Sequence, residues 1–147
     1  MDEAAFRQAH KAIVVRPCSF EKALLAACAS CRLAQRHNIA EREAVACREA
    51  DAQARCAELH GLLRRHAAFA LHLRQAGQPL THAQEMKVQC GGLAGLQQAL
   101  GGTKSPGDIA TLADAANGTE GGLDGLPWPV IMQSLAAWQL PRRRRRP

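Results

Sequence analysis

Aromatic residues and long apolar runs are scarce in this 147-residue chain. It has no Tyr, two Trp and three Phe, so aromatic residues make up 3% of it. Surfaces that bind single-stranded nucleic acid use aromatic side chains as stacking platforms, and a membrane-spanning helix needs roughly 20 apolar residues in succession. The composition therefore argues against both classes of protein, and we expect no contact with a membrane.

The chain also lacks a basic body, although its formal net charge is +6. Arg142 to Arg146 supply five of the 19 basic residues, which leaves 14 basic against 13 acidic residues in the rest of the chain. Domains that bind nucleic acid usually carry a basic face or groove. We expect any contact with nucleic acid to be made through Arg142–Arg146 alone.

A secretory signal is not evident either. The chain begins Met1-Asp2-Glu3 and shows no basic stretch followed by an apolar core, which is the pattern of such a signal. This predicts a cytoplasmic protein, in which thiols stay reduced and disulfides are rare. Its six cysteines then call for an explanation other than a disulfide framework.

The distribution of residue types predicts an all-α fold. Good helix formers dominate the first half, and the only β-branched run, Ile13-Val14-Val15, is too short to build a sheet. We expect a small single-domain helical bundle over residues 1–140, with a Cys-rich half at 18–56, and a disordered Arg-rich tail at 141–147.

Caps and breakers set the expected helix boundaries. Asp2 is a predicted N-cap, Pro17 ends the first helix, Asp51 caps the fourth, and Thr81 with Gln84 predicts a capping box. The expected helices cover residues 2–15, 20–36, a stretch from 39, 52–75, 81–90, 93–100, 105–116 and 129–140. A buried stripe is expected on the fourth, at Cys56, Leu59, Leu63, His66, Ala70 and Leu73.

Five of the six cysteines lie within residues 18–56. The set has the spacing C-x9-C-x2-C-x15-C-x8-C, and Cys90 stands apart beside two glycines. The pair Cys28 and Cys31 falls inside a predicted helix rather than at the strand-to-helix junction of a thioredoxin-like motif, and Arg32 stands where a c-type haem site needs His. No nucleophile motif or acid/base pair is evident, so an enzyme is the less favoured class.

Metal binding explains the concentration of cysteines best. Positions i and i+3 on a helix have Cβ atoms about 5–6 Å apart, whereas two sulfurs on one zinc ion lie about 3.8 Å apart, so the predicted helical pair favours an iron–sulfur cluster. A cluster needs four thiolates. The candidate ligands are Cys18, Cys28, Cys31, Cys47 and Cys56.

The choice among the five depends on the chain between Cys47 and Cys56. Nine residues on one straight helix place two side chains half a turn out of phase, so both reach one site only if the chain breaks near Asp51. His37 is a candidate to donate a hydrogen bond to a cluster sulfur.

The function predicted from the sequence is that of a small cytoplasmic iron–sulfur protein with a [4Fe–4S] cluster. It would act in electron transfer, redox sensing or cluster delivery, with a protein redox or cluster-transfer partner. Two alternatives stay open. One is a zinc-stabilised helical adaptor or regulator whose basic tail contacts nucleic acid. The other is a metal-free interaction module whose cysteines are small packing residues.

Overall fold

The computed structural model describes residues 2–75, 77–102 and 107–140. The fold is mostly helical but mixed, with 58% helix and 11% strand, and the strands form a two-stranded antiparallel sheet. The all-α prediction is therefore wrong. The predicted tail at 141–147 and the predicted helix start at 105–106 lie outside the described residues.

The first helix matches its prediction closely, whereas the second is much shorter than expected. Helix α1 spans Glu3–Ile13, and its N-cap Asp2 accepts a hydrogen bond from the amide of Ala5 at 2.7 Å. Helix α2 spans only Glu21–Leu25. The predicted continuation of this helix to residue 36 is wrong, because the chain turns sharply at Ala27 and then enters a strand.

A β-hairpin occupies the segment from which a third helix was expected. Strand β1 (Ala34–Ile39) pairs with β2 (Arg42–Cys47), so that the first residue of β1 lies opposite the last residue of β2. Ala40 lies in the turn with φ +57°, a left-handed conformation that glycine adopts more easily than alanine. The turn therefore carries some backbone strain.

Burial on both faces explains why the sequence did not reveal β2. Ala44 and Ala46 pack with Val14 and Ile39 in a small cluster beside α1, while Val45 belongs to the main core. A strand that is covered on both faces lacks the alternation of apolar and polar residues that identifies half-buried strands. The helix propensity of Arg, Glu and Ala then dominated the prediction.

Helix α3 (Ala50–Ala70) is the longest element and crosses the middle of the protein. Leu59 and Leu63 of the predicted stripe are fully buried, whereas Cys56 and His66 are half-buried. The ring of His66 stacks on Trp128, with centroids 4.1 Å apart. Leu59 and Leu63 therefore face the core, as expected, but the edges of the stripe touch solvent and its last member, Leu73, lies beyond the end of the helix. The N-cap is Glu49, so the prediction that Asp51 caps this helix is wrong.

The chain continues as one helical rod through the predicted break at two glycines. Helix α4 (His82–Met86) begins at the predicted capping box of Thr81 and Gln84, which is confirmed. It runs through a π-helical turn (Lys87–Gly91) into α5 (Gly92–Ala99). The expectation that the helix ends near Cys90 is therefore wrong.

The glycines allow close packing instead of breaking the helix. A Cβ atom on Gly91 would lie 2.8 Å from the Cβ of Trp138, and one on Gly95 would lie 2.9 Å from the carbonyl oxygen of Ile131. Both neighbours belong to the C-terminal segment that packs across this rod. Alanine at either position would force the two segments apart.

Helix α6 (Ile109–Asn117), a short 3-10 turn (Gly122–Gly125) and helix α7 (Trp128–Ala137) complete the described fold. The main core joins α3, the π-helical turn, α5, α6 and α7; its largest fully buried side chains include Phe20, Leu59, Leu63, Leu93, Leu96, Ile131 and Leu135. None of the helices described here is both long enough and apolar enough to cross a bilayer.

Candidate metal centre

Four cysteines line one small cavity between the hairpin, α3 and α6. Cys18, Cys31, Cys47 and Cys56 all have free thiols and are all half-buried. The remaining lining is mostly apolar: Leu33, Ala34, Ala46, Ala52, Ile109 and Ala110, with Ser19 and Gln53. The cavity volume is about 20 Å³, which is room for about one water-sized atom. We call this the four-thiol cavity.

Backbone pairing along β2 makes Cys18 and Cys47 diagonal neighbours across two paired segments. The amide of Cys18 donates to the carbonyl of Val45 at 3.0 Å, and the amide of Cys47 donates to the carbonyl of Arg16 at 2.8 Å. The Arg16 side chain also donates to the carbonyl of Cys47 at 2.9 Å. Residues 16–18 therefore extend the sheet beyond the hairpin, and this extension fixes Cys18 next to the end of β2.

The loop that carries Cys31 is anchored to the start of α6. The carbonyl of Ser30 accepts a hydrogen bond from the amide of Ile109 at 2.8 Å. The carboxylate of Asp108, the N-cap of α6, accepts hydrogen bonds from the amide and guanidinium of Arg32 and from the amide of Thr111. Although burial raises the pKa of Asp108, the hydrogen bonds from Arg32 and Thr111 outweigh it and lower the pKa. The loop is thus held on both sides of Cys31, by the Ile109 amide at Ser30 and by the Asp108 carboxylate at Arg32.

The second turn of α3 supplies Cys56. The chain leaves β2 at Cys47 and starts α3 at Ala50, so the two cysteines do not lie on one straight helix. A break between Cys47 and Cys56 is what the sequence analysis required for both cysteines to reach one site. Gln53 donates from its amide to the carbonyl of Pro17 at 3.0 Å and ties α3 to the segment that carries Cys18.

Two of the four thiols, those of Cys18 and Cys56, are held in their neutral form. Burial is the main cause that raises the pKa of Cys56 to about 12, and the neighbouring Cys18, Cys31 and Cys47 add to it. Burial likewise raises the pKa of Cys18 to about 11, partly offset by a hydrogen bond from the Phe20 amide. A thiolate is the nucleophilic form of cysteine, so at neutral pH neither of these two thiols is an activated nucleophile.

The fifth candidate, Cys28, lies outside this group. Its sulfur is bonded to that of Cys90, 62 residues further along the chain. Cys28 and Cys31 are not on a helix: the amides of Ala27 and Cys28 donate to the carbonyls of Leu24 and Ala23, and this pair of bonds closes α2 as a Schellman cap. The prediction that these two cysteines lie three residues apart on one helix is therefore wrong. Because its sulfur is in a disulfide, Cys28 is not free to act as a ligand.

Two histidines considered from the sequence take other places. His37 lies in β1 opposite Ala44 and does not line the cavity, and His66 stacks on Trp128. Within the described ranges, no three His, Cys, Asp or Glu side chains are already arranged so that they could hold a metal ion. The four thiols share a cavity, but binding a common ligand would require their side chains to rearrange.

Sequence reasoning missed the residues that position the cysteines. Asp108, Gln53 and Arg16 act through contacts with segments 76, 36 and 31 residues away along the chain. Asp108 was not identified as the cap of α6, and its contact with the loop at Arg32 carries no local signal in the sequence.

Comparison with protein families, with curated proteins and with solved structures gave no match. The four-thiol cavity is therefore the feature of this chain that indicates a function.

Proposed function

We propose that this protein binds an iron–sulfur cluster at the four-thiol cavity and acts in electron transfer, redox sensing or cluster delivery. The observation that supports it is the meeting of four free thiols, from four separate segments, around one mostly apolar cavity. Four cysteine thiolates are the usual ligand set of such clusters. A bound cluster carries one electron at a time.

The spacing of the four cysteines favours a cluster over a structural zinc ion. Once Cys28 is excluded, the pattern is C-x12-C-x15-C-x8-C. Structural zinc sites typically use close pairs, C-x2–4-C, and no such pair remains. Cluster ligands, in contrast, can come from scattered segments.

The protein contributes burial and anchoring to this site. Leu33, Ile109 and the alanines give the cavity a mostly apolar lining, and low polarity is one of the means by which a protein sets a cluster's potential. Asp108 holds the loop of Cys31, and the Cys18–Val45 hydrogen bond holds the loop of Cys18. Ligand binding must also displace the thiol protons, so loading releases protons.

The size of the cavity favours one alternative, a zinc ion at the same thiolates. A volume of about 20 Å³ admits one atom without expansion, whereas a cluster requires the four side chains to move outward. The function would then be that of a zinc-stabilised adaptor or regulator. A cytoplasmic location and a contact of Arg142–Arg146 with nucleic acid stay predictions, and those arginines lie outside the described residues.

Metal and sulfide analysis of the full chain, purified without oxygen, tests the proposal. We expect iron and acid-labile sulfide in similar amounts and broad visible absorbance. Zinc without iron and colour would select the alternative, and the absence of both metals would refute metal binding at this cavity.

Single substitutions then assign the ligands. Cys18→Ala, Cys31→Ala, Cys47→Ala and Cys56→Ala should each remove most of the bound metal, because each deletes one of four ligands. The matched control is the double variant Cys28→Ala/Cys90→Ala, which should keep it. Circular dichroism identifies any variant that loses metal only because it has unfolded. If only the Cys28→Ala/Cys90→Ala control lost its metal, the assignment of Cys18, Cys31, Cys47 and Cys56 as the ligands would be refuted.

A further inference from the structure

Cys28 and Cys31 face the same open pocket on the surface. The pocket has a volume of about 550 Å³ and is lined by both cysteines together with Leu24, Ser30 and Arg36. Cys31 lies between this pocket and the four-thiol cavity, since it lines both. Two cysteines separated by two residues therefore line one open pocket, one in a disulfide and the other with a free thiol.

The Cys28–Cys90 disulfide is open to attack from one side only. Cys90 is 1% exposed and lies in the π-helical turn, which packs against α3 and α7. Cys28 is half-buried and lies at the pocket wall. The rate of thiol–disulfide exchange depends on which sulfur the attacking thiolate can reach. A thiol that enters from solvent therefore meets Cys28, with Cys90 as the leaving group.

We propose that Cys28 and Cys31 form a thiol–disulfide exchange site for a small thiol of the glutathione class. In the first step the external thiolate attacks the sulfur of Cys28. A bond forms between them, the Cys28–Cys90 bond breaks, and Cys90 leaves as a thiolate that takes up a proton. In the second step the thiolate of Cys31 attacks Cys28, a Cys28–Cys31 disulfide forms, and the external thiol is released.

The two steps balance without a further oxidant, because one disulfide replaces another and the external thiol is regenerated. Arg36 suits the class of thiol, since its guanidinium lines the pocket and can attract carboxylates of an anionic thiol, although it also pairs with Glu43 at 2.9 Å. The exchange does not require a metal. It removes Cys31 from the four-thiol cavity, so the exchange and metal binding compete for this residue.

Peptide mapping of the full chain after incubation with reduced glutathione under native conditions tests this inference. We expect the glutathione adduct on Cys28, a free thiol at Cys90, and growth of a Cys28–Cys31 disulfide with time. An adduct on Cys90 would overturn the inference. So would a Cys28–Cys90 bond that exchanges only after the chain unfolds. This measurement needs no variant, and it is made on protein stripped of metal so that Cys31 is not held as a ligand.

The role of Cys31 is tested with Cys31→Ser, with Ala26→Ser as the control. Ala26 is exposed at the end of α2, close to Cys28 in the sequence, but it lines neither the pocket nor the four-thiol cavity. The adduct on Cys28 should accumulate severalfold more in Cys31→Ser than in the wild type, because the second step is lost, while Ala26→Ser should resemble the wild type. Equal accumulation in both variants would refute a resolving role for Cys31.

Discussion

Replacing Cys28 with alanine removes the cross-link between the end of α2 and the π-helical turn. The two cysteines are 62 residues apart. For a closed loop of that length, the chain-entropy relation gives about 14 cal/mol/K, or about 4 kcal/mol at 25 °C, of stabilisation through the unfolded state. Net stabilities of single domains are about 5–15 kcal/mol, so we expect the variant to lose a large part of its free energy of unfolding.

Urea unfolding, followed by Trp fluorescence and circular dichroism, measures this loss. The wild type and Cys28→Ala are compared without reductant and again with it. Cys28 is only half-buried, so the substitution itself should leave a small cavity, and the two proteins should have similar stability once the wild type is reduced. The contrast between the two conditions isolates the cross-link from the lost side chain.

Two results would refute the reasoning. One is a difference below about 1 kcal/mol without reductant, far under the value from the loop length. The other is a difference of the same size with and without reductant, which would assign the loss to packing of the Cys28 side chain.

Three further predictions concern backbone packing and charge. Gly95→Ala should destabilise the protein by about 1–3 kcal/mol through overpacking. Gly61→Ala should stabilise it by about 0.5–1 kcal/mol, because a Cβ at that position meets nothing within 4 Å. Equal effects of the two variants in urea unfolding would contradict the packing assigned to Gly95. Ala40→Gly should be neutral or stabilising, because Ala40 has a φ of +57°. The control Ala54→Gly, inside α3, should lower the free energy of unfolding by about 1 kcal/mol. A lower free energy of unfolding for both variants in urea would exclude strain in the hairpin turn. For Glu85, burial raises the pKa, but the hydrogen bonds from its neighbours outweigh this effect and lower the pKa. The ionised carboxylate therefore stabilises the fold above its unfolded-state pKa, and this stabilisation is lost as pH falls. Glu85→Gln should flatten the fall in stability between about pH 5 and 3, and an unchanged pH profile would refute the assignment.

Local sequence signals identified several elements correctly. Asp2, Thr81 and Gln84 are capping residues whose side chains bond to amides three residues away or fewer, so the signal and the structure involve the same short segment. The stripe that contains Leu59 and Leu63 likewise depends only on the helical period. These features could be predicted because no distant part of the chain decides them.

The hairpin and the glycine-rich helix could not be predicted in the same way. Val45 and Ala46 lie on opposite faces of a strand that is covered on both sides, so the burial comes from α1 and the main core rather than from a local pattern. Gly91 and Gly95 normally interrupt helices, but here their missing side chains let the rod approach the C-terminal segment. In both cases packing between distant segments overrode local propensity.

The sequence by itself determined that the cysteines are concentrated in residues 18–56 and that any shared site needs a change of direction between Cys47 and Cys56. Only the tertiary structure decided which cysteines meet. It joined Cys28 to Cys90 and brought the other four to one cavity. The physical reason is that the pairing of residues 16–18 with β2 and the contact of Asp108 with the Cys31 loop join segments far apart in the chain, and spacing along the sequence does not encode such contacts.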